Sequence, residues 1–240
     1  MVDQALLMIA DIGGYTQYMR LHRMSLAHSQ EITGRLLEAM VRSVPRLDLV
    51  EIEGDAAFFY APVDSAASSL VADAADLALK MHQGFHGEQD RMIGLNMCSC
   101  PGCVEAGRLR VKFVAHVGEI AKQTIKRRTQ LVGLDVIAVH RMLKNTVPID
   151  EYLLMTEPVY RHTALAIRES ATEMEHDLEG LGPTKLYYLP IQPTALEPPP
   201  PSKSTLMRRL RTTTSIVSRG VPRMLRKQEE HVGAKPTDAV

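Results

Sequence analysis

Met8–Tyr15, MIADIGGY, reads as a buried strand that delivers a carboxylate to a turn. Leu6 to Ala10 form an apolar run of strand length, Asp11 closes it, and Gly13-Gly14 lets the backbone turn back tightly. An answering stretch is Val50–Phe58, VEIEGDAAF. There the strand-like runs Leu47–Ile52 and Ala56–Ala61 flank Glu53-Gly54-Asp55, a tight hairpin signal. If the two strands are neighbours, Asp11 and Asp55 meet at one end of a sheet. Two carboxylates beside free backbone carbonyls make a hard oxygen site, which suits Mg²⁺ or Mn²⁺ held together with a ligand's phosphates. Taken singly, Asp11 also reads as a helix cap and Asp55 as a turn residue; the pairing is what points to a metal.

Outward from these stretches, a helix is expected over Ser25–Val44, with Ile32, Leu36, Leu37, Met40 and Val44 on one face, ended by Pro45. After the hairpin, Pro62-Val63-Asp64-Ser65 starts a second, alanine-rich helix to His86, with Leu70, Ala74, Leu77 and Met81 inward and fraying at Gly84 and Gly87. Cys98, Cys100 and Cys103 lie in a tight loop. Leu109–Val117 is a strand, 119–130 a polar, basic hairpin arm, and Leu131–Asn145 a short helix. Tyr152–Met155 is a strand and Pro158–Ile167 a helical turn, and Glu173–Leu178 with Lys185–Leu189 form a closing hairpin. The order β-α-β-β-α-β predicts an α+β fold of the ferredoxin-like, split βαβ kind, a mostly antiparallel sheet with helices packed on it. Pro198–Pro201 is a stiff spacer, so residues 1–195 are expected to form one domain and 196–240 a Pro-rich spacer and basic, disordered tail.

The 240 residues are 45% hydrophobic, enough for a real core. No run approaches the roughly 20 apolar residues of a membrane span. The start, MVDQALLMIAD, lacks a basic n-region, and a cytoplasmic location is expected. Net charge is zero, yet from Lys203 onward nine Lys/Arg face three acids, leaving a +6 tail on a −6 body. The body has no basic face fit for nucleic acid. The tail mixes apolar with basic side chains and could lie peripherally on an anionic membrane surface; a solvated, disordered tail is the plainer expectation.

With these pieces placed, the chain resembles the class III adenylate/guanylate cyclase homology domain. Ala10-Asp11-Ile12-Gly13-Gly14-Tyr15-Thr16 is similar to that family's Asp-Ile-x-Gly-Phe-Thr, and Glu53-Gly54-Asp55 to its second Gly-Asp hairpin. Val114–Gly118 resembles its Gly-Ile-His-x-Gly strand, and Gly133–Met142 its Gly-x-x-Val-Asn-x-Ala-x-Arg-Met helix. A group of uncharacterised bacterial proteins with this body and the three-cysteine loop is the nearer resemblance.

The resemblance implies a head-to-tail homodimer with sites at the interface. Asp11 and Asp55 would hold two metal ions bridging a nucleoside triphosphate, and Arg141 would arrive from the partner subunit to offset charge on phosphate. The base-reading positions fall on Glu51, which leans towards guanine, and Gln130, which fits neither the adenylate nor the guanylate pattern. The position of the transition-state asparagine is Ile137, which makes no hydrogen bond; losing one such contact costs on the order of 10²–10³ in rate. The expected function is thus divergent, metal-dependent binding and weak cyclisation of a purine nucleoside triphosphate. The alternative is a catalytically silent sensor domain that binds a nucleotide or other small ligand in the dimer cleft.

Two smaller signals remain. Cys98, Cys100 and Cys103 have C-x-C-x-x-C spacing; as zinc ligands they need a fourth, and His82 and His86 are the nearest histidines in sequence. Free thiols or a redox sensor are the other readings of that loop. His116 reads more readily as a satisfied sheet histidine than as a pocket residue.

Overall fold

The first apolar run becomes strand β1 (Val2–Gly13). Leu6, Met8, Ala10 and Ile12 point to one face and Ala5, Leu7 and Ile9 to the other, all buried. Burial on both faces is why this segment is continuously apolar rather than alternating. The computed structural model describes residues 2–21, 26–63, 68–95 and 101–192. Proline spacer and tail lie outside them.

Helices α1 (Tyr15–Leu21) and α2 (Leu26–Ser43) follow, then the hairpin β2 (Asp48–Glu53) and β3 (Ala56–Pro62). Helices α3 (Ser68–Ala72), α4 (Ala74–Leu95) and α5 (Pro101–Glu105) lead through a 3₁₀ turn (Ala106–Arg108) into β4 (Arg110–Ile125) and β5 (Arg128–Val132). The chain continues with α6 (Leu134–Arg141), β6 (Tyr152–Thr156), α7 (Glu157–His162), α8 (Leu165–Ser170), β7 (Thr172–Leu178) and β8 (Gly182–Pro190). Among the described residues the strands form one sheet in the order β2-β3-β1-β4-β6-β8-β7, with β5 paired to β4 beside this path. Neighbours run antiparallel except β4 and β6, which are parallel. The expected α+β sheet with helices packed on it is the observed architecture.

The core lies in two layers. On one face α2 and α4 cover Leu6, Met8, Phe59 and Phe113, and Ile32, Leu36, Leu37, Met40 and Val44 of the predicted stripe are all buried there. On the other, α6 covers Ala5, Leu7, Ile9, Phe58 and Val114.

Four expectations needed correction. Helix α4 does not fray at Gly84 and Gly87 but runs to Leu95. Gly84 instead sits where α4 crosses α2: a methyl group there would collide with Ser43 Oγ and come within 2.9 Å of Ala39 O. Residues 101–103, read as part of the cysteine loop, belong to helix α5 (Pro101–Glu105), and Cys103 is buried. Helix α6 begins three residues later than expected, because β5 continues to Val132. The strand after the cysteines runs to Ile125, where it forms the expected hairpin arm with β5.

Candidate functional site

Asp11 and Asp55 converge. Strand β1 pairs with β3 so that Asp11 lies opposite Ala56, and the Ile12 N–H donates to the Asp55 carbonyl at 3.1 Å, locking the two turns together. Both turns depend on glycine in the left-handed region, Gly14 at φ 82° and Gly54 at φ 66°. Burial, and then the charge of Asp11, push the Asp55 carboxyl above the usual carboxylate range, against a smaller opposing pull from its own backbone and Lys112. The same aspartate, after burial, raises the Tyr15 phenol. Two carboxylates on adjoining turns, each within the other's electrostatic reach, are a donor set that fits a hard divalent cation.

The site also contains a residue that the motifs did not single out. Lys112 is the cross-strand partner of Asp11, and its Nζ stands 3.2 Å from Asp11 Oδ2 while donating to Leu143 O at 3.2 Å. The alternation of Arg108, Arg110 and Lys112 with apolar residues was visible in the sequence; that Lys112 faces Asp11 depends on the β1–β4 register. Beside this pair opens a cavity of about 390 Å³ lined by Gly13, Gly14, Arg108, Arg110, Lys112 and Tyr152 among others. Three cationic side chains and a glycine turn suit a phosphate-bearing ligand.

Other candidates lie apart from this pair. Glu51 is exposed on edge strand β2, in register with Phe58, whose ring meets His140 of α6 edge-on. Gln130 is exposed on the hairpin arm, opposite Gln123. Arg141 ends α6 and is ion-paired with Glu179 in the β7–β8 turn. Ile137 stands on α6, 47% exposed. Cys98 and Cys100 fall outside the described residues. His116 is the satisfied sheet histidine expected: Nδ1 meets Thr156 Oγ1 at 3.0 Å and Nε2 meets Asp135 Oδ1 at 2.8 Å, while Asp135 Oδ2 accepts from the Glu119 N–H at 2.6 Å. No helix among the described residues is long and apolar enough to cross a membrane.

This architecture is that of the nucleotidyl cyclase domains. The adenylyl cyclase CyaB from P. aeruginosa superposes with a TM-score of 0.60 at 12% identity, over 78% of this chain and 94% of that one. The guanylyl cyclase Cya2 superposes with a TM-score of 0.64 at 11% identity, over 81% and 95%. An adenylate cyclase from Trypanosoma brucei in its monomeric state gives 0.55 at 18%, over 80% and 90%. At these identities the likeness is one of fold. The sequence itself matches the family model described as "Protein of unknown function (DUF2652)" over residues 33–152. It is 40% identical over 170 residues to the uncharacterized protein Rv2561/Rv2562 of Mycobacterium tuberculosis, covering 71% of this chain and 78% of that protein. The chain belongs to the DUF2652 family.

Proposed function

We propose that the chain binds a purine nucleoside triphosphate through divalent metal ions on Asp11 and Asp55 and cyclises it slowly. The observation that carries this reading is the convergence of the two carboxylates at adjoining turns, beside a groove bearing Arg108, Arg110 and Lys112. Asp11 and Asp55 would hold Mg²⁺ or Mn²⁺, which would supply Lewis acidity to the ribose 3′-hydroxyl and to the leaving pyrophosphate. The Gly13-Gly14 turn lets phosphate oxygens approach the backbone. Lys112, paired with Asp11 in the free chain, would turn its ammonium to the phosphates once Asp11 held a metal, and Arg108 and Arg110 would take the remaining charge.

The rest of the site comes from a second copy, in a head-to-tail homodimer. Arg141 leaves Glu179 and reaches across to the partner's phosphate groove, and Glu51 and Gln130 face the base, with Glu51 favouring guanine. Leu134 and Ile137, 70% and 47% exposed on α6, supply apolar contact area for that dimer. Ile137 cannot hydrogen-bond the developing charge, which keeps turnover low, on the order of 10²–10³ below a site with a polar residue there.

The test is cyclic nucleotide production from ATP and from GTP with Mn²⁺, native chain against Asp55→Ala. Product that disappears in the variant supports the reading, and a preference for GTP supports the role of Glu51. Absence of product from both nucleotides, with a folded dimer, rejects the cyclisation step; absence of metal-dependent triphosphate binding rejects the site.

A further inference from the structure

We propose that His82, His86 and Glu151 form a second, independent site for one divalent transition-metal ion of the zinc class. His82 and His86 are one helical turn apart on α4 and so project from the same face. Glu151 enters from the residue just before β6. His86 Nε2 lies 2.7 Å from Glu151 Oε1, His82 Nε2 lies 3.3 Å from Glu151 Oε2, and the three ligand atoms fall within 4.8 Å of one another. Donor atoms bound at about 2.0–2.2 Å to a tetrahedral ion stand about 3.3–3.6 Å apart, so modest side-chain rotation brings this set to ligand geometry.

Which nitrogen of His86 is available follows from its neighbour. Gln89 Nε2 donates to Ala106 O at 2.7 Å and Leu109 O at 3.0 Å, which orients the amide and leaves its Oε1 to accept from His86 Nδ1 at 2.9 Å. Nδ1 therefore donates to Gln89, and Nε2, which without an ion donates to Glu151 Oε1 at 2.7 Å, would turn its lone pair to a metal on losing that proton, the outer-shell arrangement that prepares a metal-binding imidazole. The Val111 N–H, donating at 3.2 Å, holds Glu151 Oε1 in turn. A proton on His86 satisfies that ring alone: His82 Nε2, on a side chain only 1% exposed, makes no hydrogen bond. One cation satisfies all three groups.

Nitrogen donors separate this site from that of Asp11 and Asp55, whose all-oxygen set prefers Mg²⁺ or Mn²⁺. The sheet separates them too: α4 and Val111 belong to one core layer, whereas Lys112, the partner of Asp11, points to the other. His86 and Glu151 retain 22% and 15% exposure, leaving water to complete the coordination. A bound ion would pin α4 to the ends of β4 and β6.

The full chain, stripped with a chelator and titrated with Zn²⁺ and Co²⁺, tests the site. One equivalent should bind, and the Co²⁺ form should show ligand-field bands without thiolate charge transfer. His86→Gln and Glu151→Gln should each weaken binding at least about 100-fold. The triple variant Cys98→Ser, Cys100→Ser, Cys103→Ser and the variant Asp55→Ala should keep it, which separates this site from a thiolate site and from the nucleotide site. No binding by the folded native chain, undiminished binding by folded His86→Gln, or loss of the ion from the cysteine variant alone overturns the proposal. His86 is partly exposed, so that variant remains informative if Glu151→Gln fails to fold.

Discussion

Asp55 carries electrostatic strain at the β2–β3 turn. Burial and Asp11 raise its carboxyl, so between the ordinary and the raised value the folded state holds a proton that the unfolded chain has already released. This cost is absent in acid and appears as pH rises through the raised value. Asp55→Asn should therefore raise the melting temperature of the metal-free protein at neutral pH, by about 2–4 °C for each kcal/mol relieved, with the gain vanishing in acid. Melting curves across that range check it, and an equal gain at every pH would refute the like-charge explanation. The same variant should lose Mg²⁺-dependent protection by a triphosphate. On β4, His116 is bonded on both sides, to Thr156 and Asp135, and Gly118 leaves the space that the Asp135 carboxylate occupies. His116→Ala should cost about 1–3 kcal/mol in urea unfolding, because it leaves Asp135 without that partner. Gly118→Ala should cost a similar amount by forcing that carboxylate aside.

At the scale of elements, α4 shows propensity and packing pointing in opposite directions. An exposed glycine in a helix is worth about 1 kcal/mol less than alanine, which is why Gly84 and Gly87 read as fraying. Gly87 has open space around a built methyl group, whereas Gly84 meets the α2 backbone. Gly84→Ala should thus destabilise by about 1–3 kcal/mol while Gly87→Ala leaves stability unchanged or raises it. Denaturant unfolding of the two variants side by side separates contact from propensity. Amphipathic spacing located α2 closely because its buried stripe is long and regular. Short α1, α7 and α8, of 6 or 7 residues each, carry too few turns for periodicity to place them sharply.

At the scale of the whole molecule, the outer surface of α6 is the face on which assembly should depend. Leu134→Glu with Ile137→Glu should shift a dimer to monomer in sedimentation at micromolar concentration, with the monomer's fold retained, because neither side chain is buried in the single chain. An unchanged sedimentation coefficient would place the interface elsewhere. Cyclic nucleotide production, where present, should fall with the dimer, since in the proposed site Arg141 would act across it.

The order of the core strands with the longer helices α2, α4 and α6, the two aspartate turns and the buried face of α2 were legible in the chain itself. They rest on local apolar periodicity and on glycine and proline, whose effects act over a few residues. What tertiary structure alone decided were contacts between segments far apart in sequence: Lys112 against Asp11, Asp135 in the space left by Gly118, and Glu151 brought 65 residues back to His86. Strand register and helix crossing set these meetings, and a shift of one residue in register would send every side chain of the strand to the opposite face.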